Sequence, residues 1–193
     1  MSSVVISGNT SGSVTLDASA IAGTTVYTLA PVSGTISPLV SGTAVASTSG
    51  TSIDFTGIPS WVKRITVMLS GVSLSGTSAL RLRIGAGSIE TTGYTGMALR
   101  SVSSGSVGTA TFSLGYDSSG IGVAASSSSG HFILTNLSGN IWVVSANIGM
   151  ADASTMNTIT GTKTTATTLD RLSVTTVNGT DTFDAGSINI MYE

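Results

Sequence analysis

The chain has 193 residues, of which only 8% are charged, with a formal net charge of −2, 24 glycines and no cysteine. A soluble domain usually devotes about a quarter of its residues to charge. So few cations argue against a nucleic-acid surface, which draws its affinity from clustered Lys and Arg, and the missing cysteine excludes disulfides, thiol nucleophiles and cysteine-based zinc sites. Glu, Lys and Gln are scarce or absent while Thr, Val, Ile, Ser and Gly dominate, which favours strands and turns over helices. The length fits one domain of ordinary size and a small appendage. The opening MSSVVISGNT has neither a basic nor a long apolar segment, so no secretion leader is expected. No apolar run approaches the ~20 residues of a membrane helix.

In chain order, residues 3–7, 12–18 and 24–29 read as short strands. Gly12, Gly23 and Gly34 recur at one interval, a spacing suited to a repetitive β segment whose units must pack on neighbours. Pro31, Pro38 and the Ser/Gly/Thr-rich 41–51 then mark a linker. These features divide the chain into an N-terminal β-repeat segment, 1–45, and a C-terminal domain, 46–193.

The stretch Ile53–Leu69 opens the domain. It turns at Gly57-Ile58-Pro59, places Trp61, and enters a strand in which Ile65, Val67 and Leu69 alternate with polar or smaller positions. Leu80, Leu82 and Ile84 alternate with Arg81 and Arg83, which puts two cations on an outer face. Residues 89–94 read as a short strand or ordered loop, and 96–108 give weaker signals. Residues 111–116 form a strand with Phe112, Leu114 and Tyr116 on one face. Residues 117–130 are mostly Ser, Gly and Ala and read as a loop. A hairpin joins 131–137 to 141–148 through Ser138-Gly139-Asn140. The polar, Thr-rich 150–168 reads as partly irregular. A strand over 169–176 leads to the turn Asn178-Gly179, and the chain closes on 187–192. About eight strands at this spacing predict an all-β fold, an antiparallel β-sandwich of jelly-roll type. Trp61 and Trp142 read as packing residues.

The motifs of catalysis are missing. His131 is the sole histidine, and no nucleophile elbow accompanies it. Asp170, Asp181 and Asp184 lie at turns, where Asp is common for conformational reasons. Calcium-loop and phosphate-loop spacings are absent. The expectation is a chain without catalytic residues, metal or cofactor. Arg81, Arg83, Arg100 and Arg171 are expected to pair with acids on neighbouring strands or subunits, with a glycan or receptor contact as the alternative. If a ligand is bound, Tyr94, Tyr116 and Asp117 are the candidates, because they flank predicted loops.

The run Thr56-Gly57-Ile58-Pro59-Ser60-Trp61-Val62-Lys63-Arg64-Ile65-Thr66-Val67 resembles a segment of C-terminal domains in tail-fibre and related virion proteins of tailed bacteriophages. The runs 89–94 (IETTGY), 169–172 (LDRL) and 177–190, with the terminal Tyr192-Glu193, are similar to further segments of that family. Gly12-Ser13-Val14-Thr15-Leu16 and Ala22-Gly23-Thr24-Thr25 resemble short β repeats that precede such domains. The resemblance implies a non-enzymatic, homotrimeric protein on the outer surface of the virion. Its N-terminal segment would attach to another virion protein, and its sandwich would face a host-surface glycan or protein. A head-decoration or head-fibre part without receptor binding, and a glycan depolymerase, are the rival expectations. Neither nucleic acid nor membrane insertion is expected.

Overall fold

The structure, a computed structural model, describes residues 3–7, 13–17, 37–105, 107–120 and 123–193. The chain divides into two compact units, Met1–Ile36 and Ser37–Glu193. In the first, β1 (Ser3–Ser7) and β2 (Ser13–Asp17) pair antiparallel, with Ser3 opposite Asp17. The strand expected over 24–29 and the three spaced glycines lie outside the described residues.

The second unit is all-β and antiparallel, as its composition predicts, and no helix occurs among the described residues. Residues expected in the N-terminal segment already belong to it: β3 (Val40–Ser41) and β4 (Val45–Ala46) both pair with the last strand, β16 (Phe183–Tyr192). Nine strands form the larger sheet. Its order is β10 (Val107–Phe112), β9 (Tyr94–Val102), β14 (Thr155–Thr164), β13 (Ile141–Met150), β12 (Ser128–Ser138), β6 (Arg64–Leu74), β16 and β3, with β4 beside β16. The smaller sheet runs β11 (Tyr116–Asp117), β7 (Leu80–Ala86), β15 (Arg171–Thr176) and β5 (Ser52–Thr56), with β8 (Ser88–Ile89) beside β7. Side chains of both sheets meet in one core: Ile65, Val67, Phe132 and Leu134 from the larger, Leu82, Ile84, Leu172 and Val174 from the smaller. The arrangement is a β-sandwich.

Period-2 alternation decides which face each strand buries. In β13, Trp142, Val144, Ala146, Ile148 and Met150 are buried, while Val143, Ser145 and Asn147 are exposed. The hairpin β12–β13 forms where the sequence places it. The turn at Asn178-Gly179 also forms, with Gly179 at φ +71°, a backbone region that glycine enters without a Cβ penalty.

Two expectations change. The Thr-rich segment read as irregular contains β14, a ten-residue strand inside the larger sheet. Its inward positions include Thr155, Asn157, Gly161 and Lys163, so its alternation is not one of apolar with polar. The strand expected through Leu114 ends at Phe112, and Leu114 is exposed while Phe112 and Tyr116 are buried. Gly96 and Gly161 make room there, because the Phe112 ring lies where a Cβ on either would sit.

The opening stretch of the unit works as a seat. Ile53, Phe55, Ile58 and Val62 are buried ahead of β6. Trp61, unlike buried Trp142, stays 39% exposed and packs at 5.9 Å against Tyr192. Lys63 and Arg64 donate their N–H groups to the Glu193 carbonyl at 2.7 and 2.9 Å. The end of the chain is thereby fastened to the start of β6.

Candidate functional site

The three residues singled out as ligand candidates do come together, but inside the protein. Tyr94 opens β9 and Tyr116 opens β11; their rings meet edge to face at 5.0 Å, and Phe112 meets Tyr116 at 6.0 Å in the same way. Both tyrosines are buried, so neither offers a ring face to solvent. This corrects their reading as surface recognition residues. The β10–β9 pairing and the two glycines opposite Phe112 draw the cluster into the core.

The Tyr94 hydroxyl is well partnered. It donates towards the carbonyls of Ile84 (3.0 Å) and Glu90 (2.9 Å) and accepts the Ile84 N–H at 2.8 Å. Burial, which penalises the phenolate, pushes its pKa up to about 12. Burial also raises that of Tyr116, whose hydroxyl has no hydrogen-bond partner.

Asp117 is a strut. Its two carboxylate oxygens accept Arg81 Nε and Nη2, each at 2.6 Å, in a fork geometry. The pair joins register partners of β11 and β7. Arg81 was expected on an open outer face, yet its side chain is only 7% exposed. Gly115 lies against its methylene groups and Thr175 sits opposite it in β15. The expectation that the arginines pair with acids on neighbouring strands therefore holds for Arg81. Arg171 is bound instead by the adjacent Asp170 at 2.8 Å, and Arg83 Nε donates to the Leu114 carbonyl at 2.8 Å. Arg100 Nε is buried without a partner.

A second buried pair escaped the sequence reading. Lys163 Nζ of β14 lies 2.5 Å from Glu90 Oε2, 5.4 Å from the Tyr94 ring centroid and 2.8 Å from the Thr164 carbonyl. Glu90 Oε1 accepts the Ala166 N–H at 2.8 Å. A lone Lys among threonines was the only available sign. Its cation is held by a carboxylate, a carbonyl and a π face together.

The remaining acids serve turns. The Asp181 carboxylate accepts from Asn178 Nδ2 (2.8 Å) and the Ser78 N–H (2.9 Å), and these bonds, led by that from Asn178, hold it below the usual carboxylate range. Asp170 accepts the Gly87 N–H, and Asp184 accepts the Ser73 hydroxyl. His131 lies on the outer face of the larger sheet between Met68 and Asn147, neither of which is an acid. Among the described residues, no group of three or more His, Asp or Glu gathers as metal ligands.

One concavity stands out, a cleft of about 820 Å³ at the end of the larger sheet. It is walled by the end of β9, the start of β12 and the turn between β13 and β14, with Ser101, Ser103, Ser127, Ser129, Asp152 and Met156 among its lining residues. Among the described residues that line it Asp152 is the only ionisable group, and one of its oxygens accepts the Ser127 N–H at 2.9 Å. Val102, Met150 and Ala151 also line it, so the chemistry on offer is a largely apolar surface with serine hydroxyls and one carboxylate for hydrogen bonding. Sequence reasoning missed Asp152 because the Ser-rich segments around it carry no pattern. Comparison with protein-family models, with curated proteins and with solved structures finds no match in any of the three.

Proposed function

We propose that the chain is a non-enzymatic tail-fibre protein of a tailed bacteriophage virion. On this reading three copies present the Ser37–Glu193 sandwich outward for host-surface recognition, and the N-terminal unit attaches to another virion protein. One observation carries the proposal: the separate segments that resemble fibre domains are neighbours in the fold. The Ile58 N–H donates to the Asp170 carbonyl at 2.9 Å, and Arg171 sits opposite Thr56. The Gly87 N–H, just ahead of the run 89–94, reaches the Asp170 carboxylate at 3.1 Å. Trp61 packs on Tyr192, and Lys63 and Arg64 bond Glu193. Segments that contact one another in the fold support reading them as one set, and the set weighs more than any one run.

Recognition on this reading falls to the cleft beside Asp152 rather than to Tyr94, Tyr116 or Asp117. Serine hydroxyls and one carboxylate match the hydroxyls of a neutral sugar, and among the described residues the lining has no Lys or Arg to attract an anionic one. The test is binding of fluorescently labelled chain to the phage's host cells. Asp152→Ala is expected to weaken binding at least tenfold with an unchanged melting temperature. Undiminished binding by that variant would move recognition elsewhere. No binding by the parent chain, with normal adsorption of particles lacking it, would favour a head-decoration role. Oligosaccharides released from host polysaccharide would make it a depolymerase.

A further inference from the structure

Two buried donors stand side by side on the inner face of the larger sheet. Arg100 of β9 and Asn157 of β14 are register partners, and β10 places Gly108 on the other side of Arg100. Directly opposed residues on one face hold their Cβ atoms roughly 5 Å apart. Asn157 is fully buried. Its Oδ1 accepts the Ser119 N–H at 3.0 Å, which fixes the amide and leaves Nδ2 as a donor. Neither Asn157 Nδ2 nor Arg100 Nε has a hydrogen-bond partner among the described residues, and both atoms are buried. A Cβ on Gly108 would meet nothing nearer than Ser119 Oγ at 3.9 Å and Arg100 Cβ at 4.0 Å. Ser119 therefore lies over Arg100 from one neighbour to the other, and a methyl-sized group fits beside them without displacing either. Arg100 is also a cation without a counter-charge. The four ion pairs among the described residues join Arg64 to Glu193, Arg81 to Asp117, Lys163 to Glu90 and Arg171 to Asp170, and none includes it.

From these observations we infer that Arg100 and Asn157 form a binding site for one small monovalent anion of the size of chloride, held beneath Ser119. The donor set decides the sign of the occupant. A guanidinium only donates, and the Asn157 oxygen is already bonded, so the occupant must accept. A water molecule also accepts, but it leaves the cation uncompensated, and burying an unpaired charge costs far more than leaving a neutral hydrogen bond unmade. One guanidinium matches one negative charge. The methyl-sized space beside Gly108 suits a halide, which is about as large as a methyl group, and is too small for phosphate or sulfate. Bound there, the anion ties the Ser119 segment to β9 and β14 near the β10 edge of the sheet. Neither Arg100 nor Asn157 is among the residues lining the Asp152 cleft, so the anion site and host recognition can fail separately.

Chlorine NMR of sodium chloride with the full chain, at fixed ionic strength, tests the site with chloride itself as the probe. The parent chain is expected to broaden the chloride signal, and added bromide is expected to reverse the broadening by competition. Arg100→Met keeps the length of the side chain, removes the guanidinium and is expected to lose the excess width. Lys63→Met takes the same charge from an exposed position and is expected to keep it. Thermal melts give a second reading. Replacing sodium gluconate by sodium chloride is expected to raise the melting temperature of the parent by about 4–8 °C once chloride is a few tens of times its dissociation constant, and to leave that of Arg100→Met unmoved. Should Arg100→Met not fold, Asn157→Leu, of nearly the same shape as Asn, is the second variant and is expected to weaken the broadening. Broadening that persists undiminished in the folded site variant, or that Lys63→Met removes equally, overturns the site. A parent that fails either reading overturns it as well and assigns the two donors to ordered water.

Discussion

Asp117→Ala tests whether the most prominent polar pair is a strut or a recognition element. The substitution removes both oxygens that receive Arg81 at 2.6 Å. The guanidinium cannot follow them into water, because its side chain is 7% exposed, and among the described residues its only other hydrogen bond is a 3.5 Å contact to the Val177 carbonyl. Breaking a buried pair from one side costs about 3–5 kcal/mol, largely the uncompensated charge left behind. A domain of this size loses about 2–4 °C of melting temperature per kcal/mol, so the melt should fall by roughly 6–20 °C. Replacing both partners with apolar residues of similar volume, Arg81→Met with Asp117→Leu, should recover most of the loss. Differential scanning calorimetry of the three variants reads this directly. An Asp117→Ala melt within about 2 °C of the parent, or a double variant no better than the single one, would refute the reasoning.

Other consequences follow from the same interior. Tyr94→Phe strips a partner from the buried Ile84 N–H and should cost about 1–3 kcal/mol, whereas Tyr116→Phe removes a hydroxyl without a partner and should be neutral or stabilising; chemical denaturation distinguishes them. With its pKa raised to about 12 from an ordinary value near 10, Tyr94 holds its proton more tightly in the folded state. Its stabilising contribution is complete below about pH 10 and is lost as pH rises towards 12, amounting to roughly 3 kcal/mol; alkaline melts should show this fall, and Tyr94→Phe should make it shallower without abolishing it, because burial raises Tyr116 as well. At the acid end, Asp181 titrates below the usual carboxylate range in the folded chain. Its contribution is present at neutral pH and disappears as pH falls through the folded pKa. Asn178→Ala should move that carboxyl titration upward in carbon-detected NMR.

Much of the fold was legible where one face is apolar and the other is not. Ile65, Val67 and Leu69, the hairpin around Ser138-Gly139-Asn140, and Asn178-Gly179 all signal by local pattern, and the structure has them as strands and turns. The β14 strand was illegible because its buried face holds Thr155, Asn157, Gly161 and Lys163. Glu90 neutralises Lys163 and the Ser119 N–H bonds Asn157 Oδ1, partners distant in sequence, while Asn157 Nδ2 stays buried without one among the described residues. The β9 strand, with Gly96 and Arg100 among its inward positions, was faint for a related reason. The candidate site was legible as chemistry and not as placement. Pairing of an outward Arg with an acid was foreseeable from charge scarcity, but the burial of that pair under Gly115 and Thr175 depends on β11 joining β7. Tyr94 and Tyr116 flank loops in sequence and fill the core in space, because two glycines let Phe112 close over them. Asp152 and Lys163 act through surroundings that only the assembled sheet provides.

The central claim, an outward-facing fibre sandwich held to a virion by its N-terminal unit, is tested most directly by electron cryomicroscopy of phage particles that carry the chain. The account predicts density for three copies, with residues 37–193 projecting from the particle and residues 1–36 against another virion protein. Particles that bury its sandwich against their own surface and leave the N-terminal unit outermost would contradict it.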